Sequence, residues 1–239
     1  MKKFRFFAAL CCAAAVFAAC EKNDEPKNDS NNNQNEETTT GTENGHDWVN
    51  LGLPSGTKWA TCNVGATSPE KYGNYYAWGE TTTKDYYYWD TYKYYDSDSN
   101  KLTKYNTDSD DGTVDNKTTL EAADDAATAN WGGEWRMPTD GEWTELRENC
   151  EWIWTDSYQT TGVAGYWVTG KNGNSIFLPA AGCRYYDILD DAGNYGRYWS
   201  SSLYASSPNG AWDASFNSDH VSRGSSNRYC GQSVRPVRK

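Results

Sequence analysis

The sequence predicts an α+β domain in which two short helices interrupt many short strands and long irregular loops. Three observations carry this. Residues 131–150 (WGGEWRMPTDGEWTELRENC) specify a helix almost residue by residue. Residues 166–178 spell a hairpin with apolar side chains on both faces. Elsewhere, short runs rich in Trp and Tyr alternate with turn residues, and no repeat of solenoid length appears.

In chain order, the first element is a leader. Lys2, Lys3 and Arg5 precede an apolar run from Phe6 to Ala19, which is too short to span a bilayer comfortably. Its end, Phe17-Ala18-Ala19-Cys20, resembles the lipobox of bacterial lipoproteins, with residues 1–19 as signal peptide and Cys20 as the lipidated residue. An ordinary cleaved signal peptide is the alternative. Residues 20–45 lack aromatic and large aliphatic side chains, so burial cannot offset their ordering entropy, and a disordered tether is expected. Glu21, Asp24 and Glu25 resemble the acidic signal of some outward-facing Bacteroidetes lipoproteins.

The formal net charge is −11, and loss of a leader with three basic residues and no acid makes it more negative. Such a chain is repelled by nucleic acid and anionic lipid headgroups. Membrane contact is therefore expected through the lipid alone, at the outer membrane and facing outward.

The folded part is expected over residues 46–239, which hold all 12 Trp and 18 Tyr. The core must be largely aromatic, and each ring with a polar edge needs a partner for it. Trp48–Leu53, Lys58–Val64 and Tyr75–Trp78 read as strands. Lys84–Tyr95 holds seven aromatics in twelve residues with no clean period, and reads as a loop wrapped over the domain. Its rings either tack the loop down or form a platform for sugars. Residues 106–117 imitate an EF-hand, but Asp111 and Lys117 occupy the positions that require Gly and Glu.

Glu121–Ala129 reads as a short helix, with Asp124 or Asp125 capping it or pairing with Arg136 or Arg235. The second helix starts at Thr139, whose spacing to Glu142 makes a capping box, and Trp143, Leu146 and Cys150 form its inner stripe. Trp152 and Trp154 alternate as in a strand. In the following hairpin, Asn172-Gly173 suits a type I′ turn, a register that pairs Val168 with Phe177 and Trp167 with Leu178. Three strands follow, in YGRYWSSSL, AWDASFNSD and GQSVRPVRK. Between them Ala205–Gly210 and His220–Cys230 read as polar loops, suited to recognition.

Sequence signatures of catalysis are absent: no HExxH, CxxC, P-loop, Rossmann fingerprint or GxSxG occurs, and no cofactor or metal is expected. Cys62, Cys150, Cys183 and Cys230 allow two disulfides in three connectivities, with Cys62–Cys150 and Cys183–Cys230 preferred over four buried thiols.

Together WVNLGLPSGTKWATCNVGA (48–66), YGNYYAWGETT (72–82), LEAADDAATANWGGEWRMPT (120–139), GNSIFLPAAGCR (173–184), YGRYWSSSL (195–203) and GQSVRPV (231–237) resemble the Fibrobacter succinogenes major paralogous domain. That family in turn resembles the C-type-lectin fold in its sulfatase-modifying form. The resemblance implies a twisted antiparallel sheet with two helices and long irregular loops. It implies neither the copper-holding Cys pair nor the calcium tripeptides of those relatives, whose residues are missing here.

The function expected is non-catalytic recognition, by a cell-surface lipoprotein, of an extracellular glycan or protein. Its candidate contacts are Asn209, Trp212, Asp213, Asn217, Asp219, His220, Arg223, Asn227, Arg228 and Tyr229. The alternatives are a diversified variable protein of a diversity-generating retroelement, which residues 204–230 resemble in composition, a divergent sulfatase-modifying-type enzyme, and a structural surface protein.

Overall fold

A computed structural model describes residues 39–239. The expected signal peptide, Cys20 and residues 21–38 of the expected tether lie outside the described residues.

The chain runs β1 (Thr40–Glu43), β2 (His46–Asn50), β3 (Lys58–Ala60), β4 (Tyr75–Tyr76), β5 (Tyr95–Asp96) and β6 (Lys101–Leu102). Then come α1 (Ala126–Trp131), α2 (Asp140–Asn149), β7 (Cys150–Thr155), β8 (Gly165–Gly170) and β9 (Ser175–Pro179). The remainder is β10 (Cys183–Tyr185), β11 (Ile188–Asp190), β12 (Gly196–Leu203), β13 (Gly210–Phe216), β14 (Val221–Asn227), β15 (Gln232–Ser233) and β16 (Val237–Arg238).

This is a predominantly β architecture, and the expected α+β, C-type-lectin-like fold is corrected accordingly. The described strands form five small sheets, and the two α-helices have only six and ten residues. The expectation rested on local signals and on the family resemblance; the strongest of those signals fixes the α2 helix but says nothing about how much helix surrounds it.

The central sheet has the order β14-β13-β12-β15-β4 and is mixed, because β12 and β15 run parallel with Tyr198 opposite Ser233. Alternation along β12 sends Tyr198 and Trp199 to opposite faces, and each face is buried. Tyr198 joins Trp59, Trp143, Leu146, Val168, Leu178 and Phe216 in one core. Trp199 joins Trp78, Tyr76, Tyr105 and Trp135 in the other. Ring polar edges find backbone carbonyls: Trp78 Nε1 donates to Ser200 O (2.8 Å), Trp199 Nε1 to Tyr76 O (2.8 Å) and Tyr198 Oη to Pro179 O (2.7 Å).

The capping box at α2 forms as the sequence predicts. Glu142 N donates to Thr139 Oγ1 (3.2 Å), and Thr139 N to Glu142 Oε2 (2.9 Å). Arg136 adds two bonds to the same carboxylate, at 2.7 and 2.6 Å. Asp125 caps α1 by accepting from Thr128 N (2.9 Å), while Asp124 takes Lys93, Lys104 and Tyr105 rather than an arginine.

Three local readings change. Thr40–Glu43, inside the segment expected to be tether, is a strand paired with β2. The β8–β9 hairpin is slipped by one residue from the expected register, with Val168 opposite Ile176 and Trp167 opposite Phe177. Gly173 alone takes a positive φ in this turn, and Gly170 pairs with Asn174 around a three-residue loop instead of a type I′ turn. The slip exchanges the faces of β9. Third, Val221–Asn227 is the edge strand β14, not a loop; VSRGSSN carries almost no β-forming side chains, so only its ladder to β13 reveals it.

Candidate functional site

The β13–β14 ladder places Asp213 opposite Gly224 and Ala211 opposite Ser226, while β12 places Trp199 opposite Asp213. Partners across a ladder share a face, so Arg197, Trp199, Asp213, Gly224 and Ser226 all belong to one face of the central sheet. Beside this face the β10–β11 ribbon is tied to the C-terminal segment by reciprocal backbone bonds between Arg184 and Gly231 (2.7 and 2.9 Å). Between ribbon and sheet edge opens a cavity of about 530 Å³, lined by Cys183, Tyr185, Asp190, Arg197, Tyr204, Ser207, Gly210, Ser225, Ser226, Asn227, Tyr229, Cys230 and Gln232. Its volume falls within the range of about 300–1,000 Å³ usual for small-ligand sites.

The deep polar groups around this cavity are incompletely bonded. Asp213, 2 % exposed, accepts from Ser226 Oγ (2.5 Å) and Gln232 Nε2 (2.9 Å) through Oδ2 alone. Asp213 Oδ1, Gln232 Oε1 and Arg197 Nε are buried without a hydrogen-bond partner. The other such atoms among the described residues are two indole N–H groups and the Glu43–Arg238 pair, whose Oε2 and Nε lie 2.8 Å apart. Each unmatched buried group costs about 1–3 kcal/mol, so these three atoms are a local cost to the fold beside the cavity. Burial pushes the Asp213 carboxyl above its ordinary range, against Ser226, Gln232 and Arg197, which pull it down.

An aromatic run continues from the cavity outward. Tyr229 packs on Tyr185 (centroids 5.8 Å apart) and Tyr88 (5.1 Å), Tyr88 stacks on Tyr186 (4.9 Å), and Tyr186 meets Tyr86 (5.5 Å). Tyr86 and Tyr185 remain 40 % and 37 % exposed, beside exposed Ile188 and Leu189. The aromatic loop is held against the domain by some of its rings and leaves others partly open. Tyr87, Tyr92 and Tyr94 are buried and hold it down, while Tyr86 and Tyr88 extend a partly open ring surface.

The ten candidate contacts divide. Asn227, which donates to Tyr229 Oη (3.1 Å), and Tyr229 line the cavity, whereas Asp213 is outside its lining and is bonded to the lining residues Ser226 and Gln232. Trp212 and Arg223 face the other side, where the guanidinium sits 3.3 Å from the indole centroid and pairs with Asp140 at the start of α2. Asn217, Asp219 and His220 form the tip of the β13–β14 hairpin, Asn217 Oδ1 accepting from the N–H groups of the other two. Asn209 donates to Asp111 (2.9 Å).

Arg228 is corrected from contact to scaffold. It is fully buried and donates to Tyr92 Oη (2.9 Å) and to the carbonyls of Tyr105, Pro208 and Lys104. The preferred disulfides are also absent, and all four cysteines are free thiols. Cys62 neighbours Tyr158 and Arg235, whereas Cys150 neighbours Glu145 and Lys171, so the two share no surroundings. Cys183 and Cys230 line the same cavity but are not bonded.

Sequence reasoning missed Arg197, Gln232, Tyr185 and Ser226. Arg197 and Gln232 sit in strand motifs that read as scaffold, and only the sheet's register brings them over Asp213. An arginine inside a strand of otherwise small and aromatic residues was the one available signal.

Residues 158–237 match a family described only as a domain of unknown function (DUF8237), a span that contains every residue lining the cavity. No curated protein and no solved structure matches the chain.

Proposed function

We propose that this protein is a non-catalytic recognition module, carried as an outward-facing lipoprotein, that binds an extracellular ligand in the cavity between the β10–β11 ribbon and the β13–β14 edge. The observation that carries the proposal is an open cavity walled by Tyr185, Tyr204 and Tyr229 and lined by Arg197, whose guanidinium makes no hydrogen bond and no ion pair among the described residues. Support for the surface setting comes from the lipobox-like ending at Cys20, and the resemblance to the Fibrobacter succinogenes major paralogous domain agrees with it.

A thiol enzyme is the second reading, favoured by the two cysteines in the cavity wall. Burial and the neighbouring Cys183 push the Cys230 thiol up to about 12, which leaves almost no thiolate at neutral pH and weighs against it.

The test is a glycan array together with capture from cell surfaces. Tyr185→Ala and Asn227→Ala are expected to abolish the binding seen with the natural chain, and His220→Ala at the hairpin tip to leave it intact. Binding insensitive to the first two substitutions would refute the assignment.

A further inference from the structure

We infer that the cavity takes a carboxylate-bearing saccharide, a uronate-type sugar unit, with Arg197 as the group that selects the carboxylate. The inference rests on the recognition reading above and names its ligand class.

Arg197 lines the cavity, and among the described residues its guanidinium makes no hydrogen bond and no ion pair. Six of the other arginines there have polar partners: Arg136 pairs with Glu142, Arg147 with Glu148, Arg223 with Asp140 and Arg238 with Glu43, while Arg228 and Arg235 are enclosed by carbonyls. Arg184 lies over the Tyr75 ring and Arg197 over the Tyr195 ring, and of these two only Arg197 lines the cavity. A cavity-lining guanidinium without an ion pair fits a carboxylate with two parallel bonds. The acid nearest in the sheet, Asp213, is already committed through Oδ2 to Ser226 and Gln232 and does not pair with Arg197. Asp190, also in the lining, opposes an anion, so the fork must outweigh it at close range.

The polar lining beside Arg197 includes Ser207, Ser225 and Asn227, side chains that both donate and accept. Sugar hydroxyls rotate to match such groups and lie on the ring that carries a uronate carboxyl. Tyr185, Tyr204 and Tyr229 supply flat apolar walls of the kind pyranose rings stack on. A peptide C-terminus also brings a carboxylate, but it offers one N–H donor nearby rather than several and has no flat face for the tyrosines.

The experiment measures binding of the full chain to galacturonate, glucuronate and guluronate oligosaccharides, to the same oligosaccharides with carboxyls reduced to alcohols, and to peptides with free or amidated C-termini. At least one uronate series is expected to bind, with at least a tenfold loss on carboxyl reduction. Arg197→Gln is expected to reproduce that loss without lowering the melting temperature, and Arg197→Lys to recover only part of the affinity. Equal binding of acidic and reduced sugars, or full binding by Arg197→Gln, overturns the role of Arg197 and leaves the cavity as a site for neutral sugars. Binding of free C-terminal peptides in place of uronates overturns the saccharide assignment. Capture of a ligand insensitive to Tyr185→Ala and Asn227→Ala removes the recognition reading beneath both.

Discussion

Asp213 and Gly224 face each other across the β13–β14 ladder so closely that a Cβ on Gly224 would stand 2.4 Å from Asp213 Oδ1. The glycine is what lets a buried carboxyl keep one oxygen free while the other is held by Ser226 and Gln232. Gly224→Ala should therefore displace Asp213 and cost about 1–3 kcal/mol by overpacking. The penalty should shrink in the Asp213→Ala background, where the clashing oxygen is gone. Urea unfolding of the four proteins gives the coupling directly, and equal penalties in both backgrounds would show that the contact is not the cause.

Arg228 and the hairpin tip should behave in opposite ways, although both looked like contact residues in the sequence. Arg228→Ala leaves three carbonyls in the interior without this donor and removes the bond that Tyr92 Oη accepts, and is expected to destabilise the fold by about 3–5 kcal/mol. His220→Ala and Asp219→Ala change exposed side chains and should stay within about 0.5 kcal/mol. Thermal melts of the three variants separate the cases.

How far the sequence reaches depends on whether a feature is local. Thr139 and Glu142 cap their helix through groups three residues apart, so the α2 start is legible without any tertiary information. The cavity is the reverse case. Arg197, Asp213 and Gln232 come from three strands, and their convergence requires the parallel β12–β15 pairing and the β12–β13 register. The β8–β9 slip has the same lesson at smaller scale, because Asn172-Gly173 fits two turn geometries and the choice between them is made by packing. His220–Cys230 read as a loop because a partly exposed edge strand needs no β-formers once β13 supplies its ladder.

The Glu142 carboxylate should make stability fall in acid. Burial works against its charge, but Arg136, Thr139 and Thr57 hold its pKa down to about 2, below the ordinary 4.5. A folded value below the unfolded one gives stability that is fully present above the unfolded pKa and is lost as pH falls from 4.5 toward 2. The linked contribution is on the order of 3 kcal/mol. Urea midpoints at several pH values for the natural chain and Glu142→Gln test this, since the variant should be weaker at neutral pH and show a flatter acid limb.

The thiols should be slow to react while the fold is intact. Burial raises Cys150 to about 11, helped by Glu145, and raises Cys183 and Cys230 as well, the last to about 12. Alkylation at pH 8 without reductant should be slow at these three and complete on unfolding in urea. A requirement for reductant after unfolding would show that disulfides form.

Recognition in the cavity lined by Arg197 and Tyr185 can be tested by filling that cavity. Ser207 lines its mouth and is exposed, so Ser207→Trp fills the space without entering the core. The decisive measurement is binding of the natural chain and Ser207→Trp to whichever array or surface ligand the natural chain captures, with melting temperatures recorded alongside. Ser207→Trp is expected to lose binding and to melt with the natural chain; undiminished binding by a folded Ser207→Trp would place recognition elsewhere.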